Sequence, residues 1–156
     1  MMNTEKVLAD FQFAGNRICK YSIETKNIDT NRNSTKTDYN IDYNILDVTQ
    51  DDDKIIGIIE FTVDIKAKVN NSLLFKIALK IEGIFLGNPD KLDKEKFTSM
   101  LELNGTATLS QIARSYILAN TALSGLNPPI KLPMINIHSL KELKNKENND
   151  KKRVAK

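Results

Sequence analysis

The sequence has a single cysteine, a single histidine, six glycines and no apolar stretch long enough to cross a membrane. Each shortage closes off a class of function. With Cys19 alone no intrachain disulfide can form, and a reducing compartment is the natural setting. His138 lies beside aliphatic residues near the chain end, the setting of a structural side chain. Without a Cys/His cluster the spacing of a zinc site is missing. No glycine-rich, phosphate-cradling loop occurs among the six glycines. The densest aliphatic cluster, Ile55 to Ile59, falls far below the ~20 residues that span a bilayer, so no membrane insertion is expected. The opening Met1-Met2-Asn3-Thr4-Glu5-Lys6 lacks the apolar core of a secretory signal. The expected location is the cytoplasm.

No set of residues reads as a catalytic site. Asp51-Asp52-Asp53 lacks the ligand spacing of a calcium loop and reads as a solvated turn. Glu60 and Glu82 could act as an acid and a base in principle, but on a polar strand face they read as solvated. Cys19, among strand residues and without a base nearby in sequence, is expected to be a small buried hydrophobe. Neither enzymatic activity nor a metal or cofactor is expected.

At 156 residues, 40% hydrophobic and 28% charged, the chain suits one domain with one core. Its net charge of +3 is local. From Lys141 to Lys156 there are seven basic and three acidic residues, whereas the remaining 140 hold 16 basic and 17 acidic ones. A role in binding nucleic acid would rest on that end alone. Residues 1–143 are read as the domain and 144–156 as a basic, disordered tail.

Two long strands stand out. Ile59, Phe61, Val63, Ile65, Ala67 and Val69 alternate with polar residues, and so do Leu73, Phe75, Ile77, Leu79 and Ile81. Asn70-Asn71-Ser72 between them is a turn. A three-residue loop there sets Val69 against Leu73, Ile65 against Ile77, Phe61 against Ile81, and Gly57 against Phe85. It also opposes like charges, Glu60 to Glu82 and Lys66 to Lys76. Tyr39, Ile41, Tyr43 and Ile45 make a strand before these, and Cys19, Tyr21, Ile23 and Thr25 a weaker first one. The polar linker Asn27 to Thr37 is expected to be mobile. After Asn88-Pro89-Asp90 the period changes. Lys91 to Leu103 reads as a short helix. A second helix, capped by Thr106 or Thr108 and ended by Gly125, carries Leu109, Ile112, Ala113, Tyr116, Asn120 and Leu123 on one stripe. Ile117 and Leu118 are surplus apolar groups beside that stripe. The segment with Pro128, Pro129 and Pro133 is extended, and a last helix starts at Ser139 and dissolves into the tail. Strands first and helices after predict an α+β fold, a four-stranded antiparallel sheet followed by helices.

The order Glu82-Gly83-Ile84-Phe85, Ala113-Arg114, Ile117, Gly125, Pro128-Pro129, Leu132-Pro133 and Ile135-Asn136 resembles the SecB family of protein-export chaperones, over roughly Ile18 to Leu140. The chain departs from the family in its Thr108-Leu109-Ser110-Gln111 helix start, in Asn136-Ile137 and in its basic end. The resemblance implies an ATP-independent holdase that grips unfolded polypeptides in apolar grooves. It implies a homo-oligomer, a tetramer built as a dimer of dimers, with SecA or an antitoxin among its partners. Candidate client-binding residues are Phe11, Phe13, Tyr43, Phe61, Phe85, Leu126, Ile130, Leu132, Met134 and Ile135. Candidate interface residues are Leu109, Ile112, Tyr116, Ile117 and Leu118. The alternative is a small nucleic-acid-associated or regulatory protein acting through its basic end.

Overall fold

The computed structural model describes residues 8–26 and 35–154. The alternating segments form β1 (Phe11–Thr25), β2 (Lys36–Gln50), β3 (Ile55–Val69) and β4 (Ser72–Gly87), one antiparallel sheet in the order β1-β4-β3-β2. α1 (Lys94–Met100), a π-helical turn (Leu101–Gly105), α2 (Thr106–Leu123) and α3 (Ile137–Val154) follow. The expected α+β architecture is present, although β1 pairs with β4 rather than with β2. β3 and β4 bury every second side chain along nearly their whole length and so occupy the centre, while the more polar β1 and β2 form the edges. Most of the expected mobile linker, residues 27–34, lies outside the described residues.

The central hairpin keeps the expected register from Ile65↔Ile77 to Gly57↔Phe85. Its turn differs. Asn70 (φ 50°) and Asn71 (φ 63°) form a two-residue left-handed turn, so Val69 meets Ser72 rather than Leu73, and a bulge at Leu74 restores the register at Ala67↔Phe75. The opposed carboxylates on the outer face are each relieved by a cation: Arg17 pairs with Glu82, and Lys80 reaches Glu60 at 3.2 Å.

β1 is bulged twice, at Ala14 and at Cys19. Each extra residue shifts the alternation, which brings Phe11, Phe13, Ile18, Tyr21 and Ile23 opposite helix-side residues of β4 and leaves Cys19 exposed. Cys19 is therefore not the buried hydrophobe expected from unbroken alternation.

The two expected helices are one continuous rod. Gly105 is helical (φ −62°, ψ −48°), and Thr106 is fully buried and caps nothing. Along the rod Phe97, Leu101, Gly105, Leu109, Ala113, Ile117 and Thr121 are all buried, one every fourth residue. A step of four overruns an ideal turn of 3.6 residues by about 40°, and the wider π turn absorbs part of that drift. The buried stripe thus runs through Ile117 rather than Tyr116 and Leu123, and Leu123 is 86% exposed. Below it the sheet is smoothed by glycine. A Cβ on Gly57 would lie 2.7 Å from both Leu101 and Phe97, and one on Gly83 would lie 2.8 Å from Leu109. Gly125 (φ +84°) ends α2 as expected. Its N–H donates to Ala122, and Leu126 N–H donates to Thr121, the paired bonds of a Schellman motif.

α3 begins at Ile137, where Asn136 Oδ1 accepts from Ser139 N–H at 3.1 Å. It continues through the segment expected to be disordered, as far as Val154. Its Lys- and Glu-rich sequence has ordinary helix propensity, which a reading based on charge alone passes over.

Gly57→Ala and Gly83→Ala are each expected to cost about 1–3 kcal/mol, because rigid neighbours must move. Gly15→Ala, whose added Cβ would meet nothing within 4 Å, is expected to stay within about 0.5 kcal/mol. Urea midpoints measure this, and equal shifts for all three would refute the close helix–sheet approach.

Candidate functional site

Six of the fifteen residues singled out in the sequence lie in the core. Phe61, Leu109, Ile117 and Leu132 are 0% exposed, Phe85 1% and Tyr43 3%. As positioned, they offer nothing to a client or a second subunit. Phe61 and Phe85 face the helices from the central strands, and Leu109 and Ile117 belong to the four-residue stripe. The period of two that announced the strands is the period that buries Phe61 and Phe85, whereas Ile117 is buried by a four-residue step that the expected helix stripe did not follow.

What remains accessible gathers along two flanks of α2. On the β1 flank Ile112 and Tyr116 are half-buried, facing the edge strand that carries Ile18, Tyr21 and Ile23. The Tyr21 and Tyr116 rings meet edge to face at 5.2 Å. The Tyr21 hydroxyl is buried without a hydrogen-bond partner among the described residues, and burial raises its pKa. A shallow hollow lies over Gln111, Ile112, Ser115 and Tyr116. Farther along β1, Phe11 stacks on Phe85 at 5.2 Å, and Phe13, 42% exposed, packs on Phe85 at 5.1 Å. Tyr21, Ile18 and Ile23 were not among the sequence candidates. The apolar spacing of the edge strand was visible, but its bulges hid which residues share the helix side.

On the other flank the proline-containing loop runs back along α2. Ile130 N–H donates to Thr121 Oγ1 at 2.9 Å, and farther along Arg114 Nη1 lies 2.9 Å from Met134 Sδ. Leu126, Ile130 and Ile135 rest half-buried on the core, Leu118 is half-buried on the helix, and Met134 is 69% exposed. The loop both seals the core, through Leu132, and presents apolar groups outward. A further apolar area lies on the outer face of the sheet, where Ile58 and Ile84 flank Gly15.

The β2 edge is closed at one point. Asp42 Oδ1 accepts from the outward N–H of Tyr43 at 2.8 Å. Lys144 of α3 donates to the Tyr43 carbonyl, to Asp42 Oδ1 at 2.6 Å and to Asn44 Oδ1 at 2.9 Å, with its ammonium 4.9 Å from the Tyr43 ring centre. Tyr43 donates to Glu102 at 2.7 Å, and Lys141 pairs with the same carboxylate. Burial, then that bond to Glu102, push the Tyr43 hydroxyl well above its usual pKa. Donor and acceptor at Tyr43 are both occupied, so no incoming strand can pair there. With Asp42 and Lys144 more than a hundred residues apart, no sequence signal announces this tie. Among the described residues no cluster suited to a metal ion occurs, and no helix is long and apolar enough to cross a membrane.

Among solved structures this fold is similar to a SecB-like chaperone of Mycobacterium tuberculosis, determined in complex with a ChAD peptide from the HigA1 antitoxin. The TM-score is 0.60 at 14% identity, over 84% of this chain and 95% of that one. A protein of unknown function from Streptococcus agalactiae matches with a TM-score of 0.44 at 13% identity, over 79% of this chain and 96% of that one. No protein-family model and no curated protein matches the sequence. At 14% identity the likeness to the mycobacterial chaperone is one of fold, and the fold is SecB-like.

Lys144→Met keeps the side-chain stem and removes all three donations. Amide exchange in the first turns of α3 and at Tyr43 is expected to accelerate about tenfold, with β3 and β4 unchanged. Unaltered exchange in α3 would show that Lys144 does not hold it.

Proposed function

We propose that this chain, which has the SecB-like fold, is an ATP-independent holdase chaperone that binds unfolded polypeptides on the two apolar flanks of α2. The observation that carries the reading is the division of side chains on that helix. Leu109, Ala113 and Ile117 complete the core, yet Ile112, Tyr116 and Leu118 remain part-exposed beside the apolar helix-side groups of an edge strand and of the proline-containing loop. An apolar surface left over once the core is complete suits an interaction site, and a holdase needs weak, sequence-tolerant contacts worth ~25 cal/mol per Å² buried. Met134 adds an unbranched, adaptable side chain.

Self-association is proposed through the outward edge of β1, which no strand accompanies among the described residues, with a tetramer, a dimer of dimers, as the assembled form that leaves Ile112 and Tyr116 open to clients. Several grooves on one assembly hold one unfolded chain by avidity. The mycobacterial neighbour was determined with an antitoxin peptide, which supports an antitoxin-type client more than export through SecA. The near-neutral body points the same way. Such a chaperone works in the cytoplasm. The client-binding unit ends near residue 143, and the helix beyond Lys144 is an appendage. A rival reading, contact with nucleic acid, rests on the exposed basic last turn Lys151, Lys152 and Arg153.

Light scattering from a denatured test protein diluted into buffer tests the reading. Suppression without ATP is expected at near-equimolar assembly, unchanged after removal of residues 145–156 and reduced at least about fivefold by Ile112→Asp with Tyr116→Asp, since each charge taken from water costs a few kcal/mol. Sizing is expected at four times the 17.6 kDa chain mass. Aggregation at the same rate with and without the protein contradicts the holdase role. Salt-sensitive binding to nucleic acid, lost on the truncation, favours the rival.

A further inference from the structure

The pair Ala113-Arg114 was singled out in the sequence, yet Arg114 takes no part in the core. It lies on the loop flank of α2, half-buried, and its contact is unusual for a guanidinium: Nη1 sits 2.9 Å from the thioether sulfur of Met134. Gln111, one turn earlier, points its amide N–H at the same sulfur from 3.7 Å. A thioether is a weak acceptor, and a guanidinium carries five N–H donors in a planar fork shaped for a carboxylate. Among the described residues no carboxylate forms an ion pair with Arg114, whereas Arg17, Lys36, Lys80, Lys141 and Lys144 each have one within 4 Å. The other described cations without an ion pair are exposed lysines and Arg153, apart from Lys76 on the outer sheet face, whereas Arg114 is half-buried among apolar groups. Leu118 follows it by one turn, and Ile130, Ile135 and the exposed Met134 border it along the loop.

We infer that Arg114, assisted by Gln111, is a carboxylate-binding fork within the loop-side client surface, and that it gives this chaperone a preference for extended segments bearing an Asp or Glu between apolar residues. The inference rests on the holdase reading and adds a chemical selectivity to it. Met134, on a flexible unbranched stem, swings off the fork when a carboxylate arrives and packs against the client's neighbouring apolar side chains. The carboxylate then takes two parallel N–H donations in place of one weak contact to sulfur. Clients of this kind would be net acidic around their apolar segments.

The test uses the full-length protein and two labelled twelve-residue peptides, apolar but for a central Glu in one and Gln in the other, followed by fluorescence anisotropy. Wild type is expected to bind the Glu peptide about tenfold more tightly. Raising salt from 50 to 300 mM should narrow the gap. Arg114→Gln should abolish the preference, its loss falling mainly on the Glu peptide, and Arg114→Lys should keep part of it, because a point charge lacks the fork. Equal binding of both peptides by wild type overturns the inference and leaves the holdase reading standing; binding of neither removes both. If Arg114→Gln weakens both peptides alike, or sizing shows that it dissociates the assembly, Arg114 is a wall of the groove or a partner to a second copy, and the fork is wrong.

Discussion

Everything in this molecule depends on how one helical rod sits on the sheet. Buried positions recur every fourth residue from Phe97 to Thr121, and the π turn at Leu101–Gly105 keeps them aligned where a regular helix would rotate them away. Gly57 and Gly83 let Phe97, Leu101 and Leu109 descend onto the strands. That close approach decides which apolar side chains complete the core and which are left over. Rotated by one residue, the rod would bury Tyr116 and expose Ile117, and the candidate surface would be a different one.

The leftover side chains follow from width. A single rod covers the middle of a four-stranded sheet and α3 reaches β2 through Lys144, so β1 is covered by Phe97 on Phe11 near its start and farther along by the sides of Ile112 and Tyr116. The two edges of the sheet are consequently unlike. At β2, Asp42 and Lys144 close the backbone of Tyr43, and α3 is held by Lys141, Lys144 and the half-buried Leu140, with none of its side chains fully buried. At β1 the strand is bulged, aromatic at Phe11 and Phe13, and unaccompanied on its outward side among the described residues.

How far the sequence could be read depended on whether a signal was local and periodic. The central hairpin declared itself through alternation, and its register was readable apart from the turn, where Asn70 and Asn71 made a two-residue turn that one bulged residue then corrected. The stop at Gly125 was equally local. Bulges and the π turn break a period by one residue, which is why Cys19 was misplaced as buried and why Ile117 was counted as surplus when it belongs to the core. The candidate surface was half legible for the same reason. Aromatic and apolar residues were easy to find, but whether each lies in the core or outside depends on rotations of a few tens of degrees that no composition reveals. The tie between Lys144 and Asp42 joins distant parts of the chain and leaves no local trace.

The central claim is that polypeptide is gripped beside α2 and not on the apolar area of the outer sheet face. A photo-reactive side chain placed singly at Tyr116, Met134 or Ile84, followed by irradiation with a bound unfolded protein and mapping of adducts, measures this directly. The account predicts strong adducts from positions 116 and 134 and background from 84. Adducts concentrated at 84, with 116 and 134 silent, would contradict it.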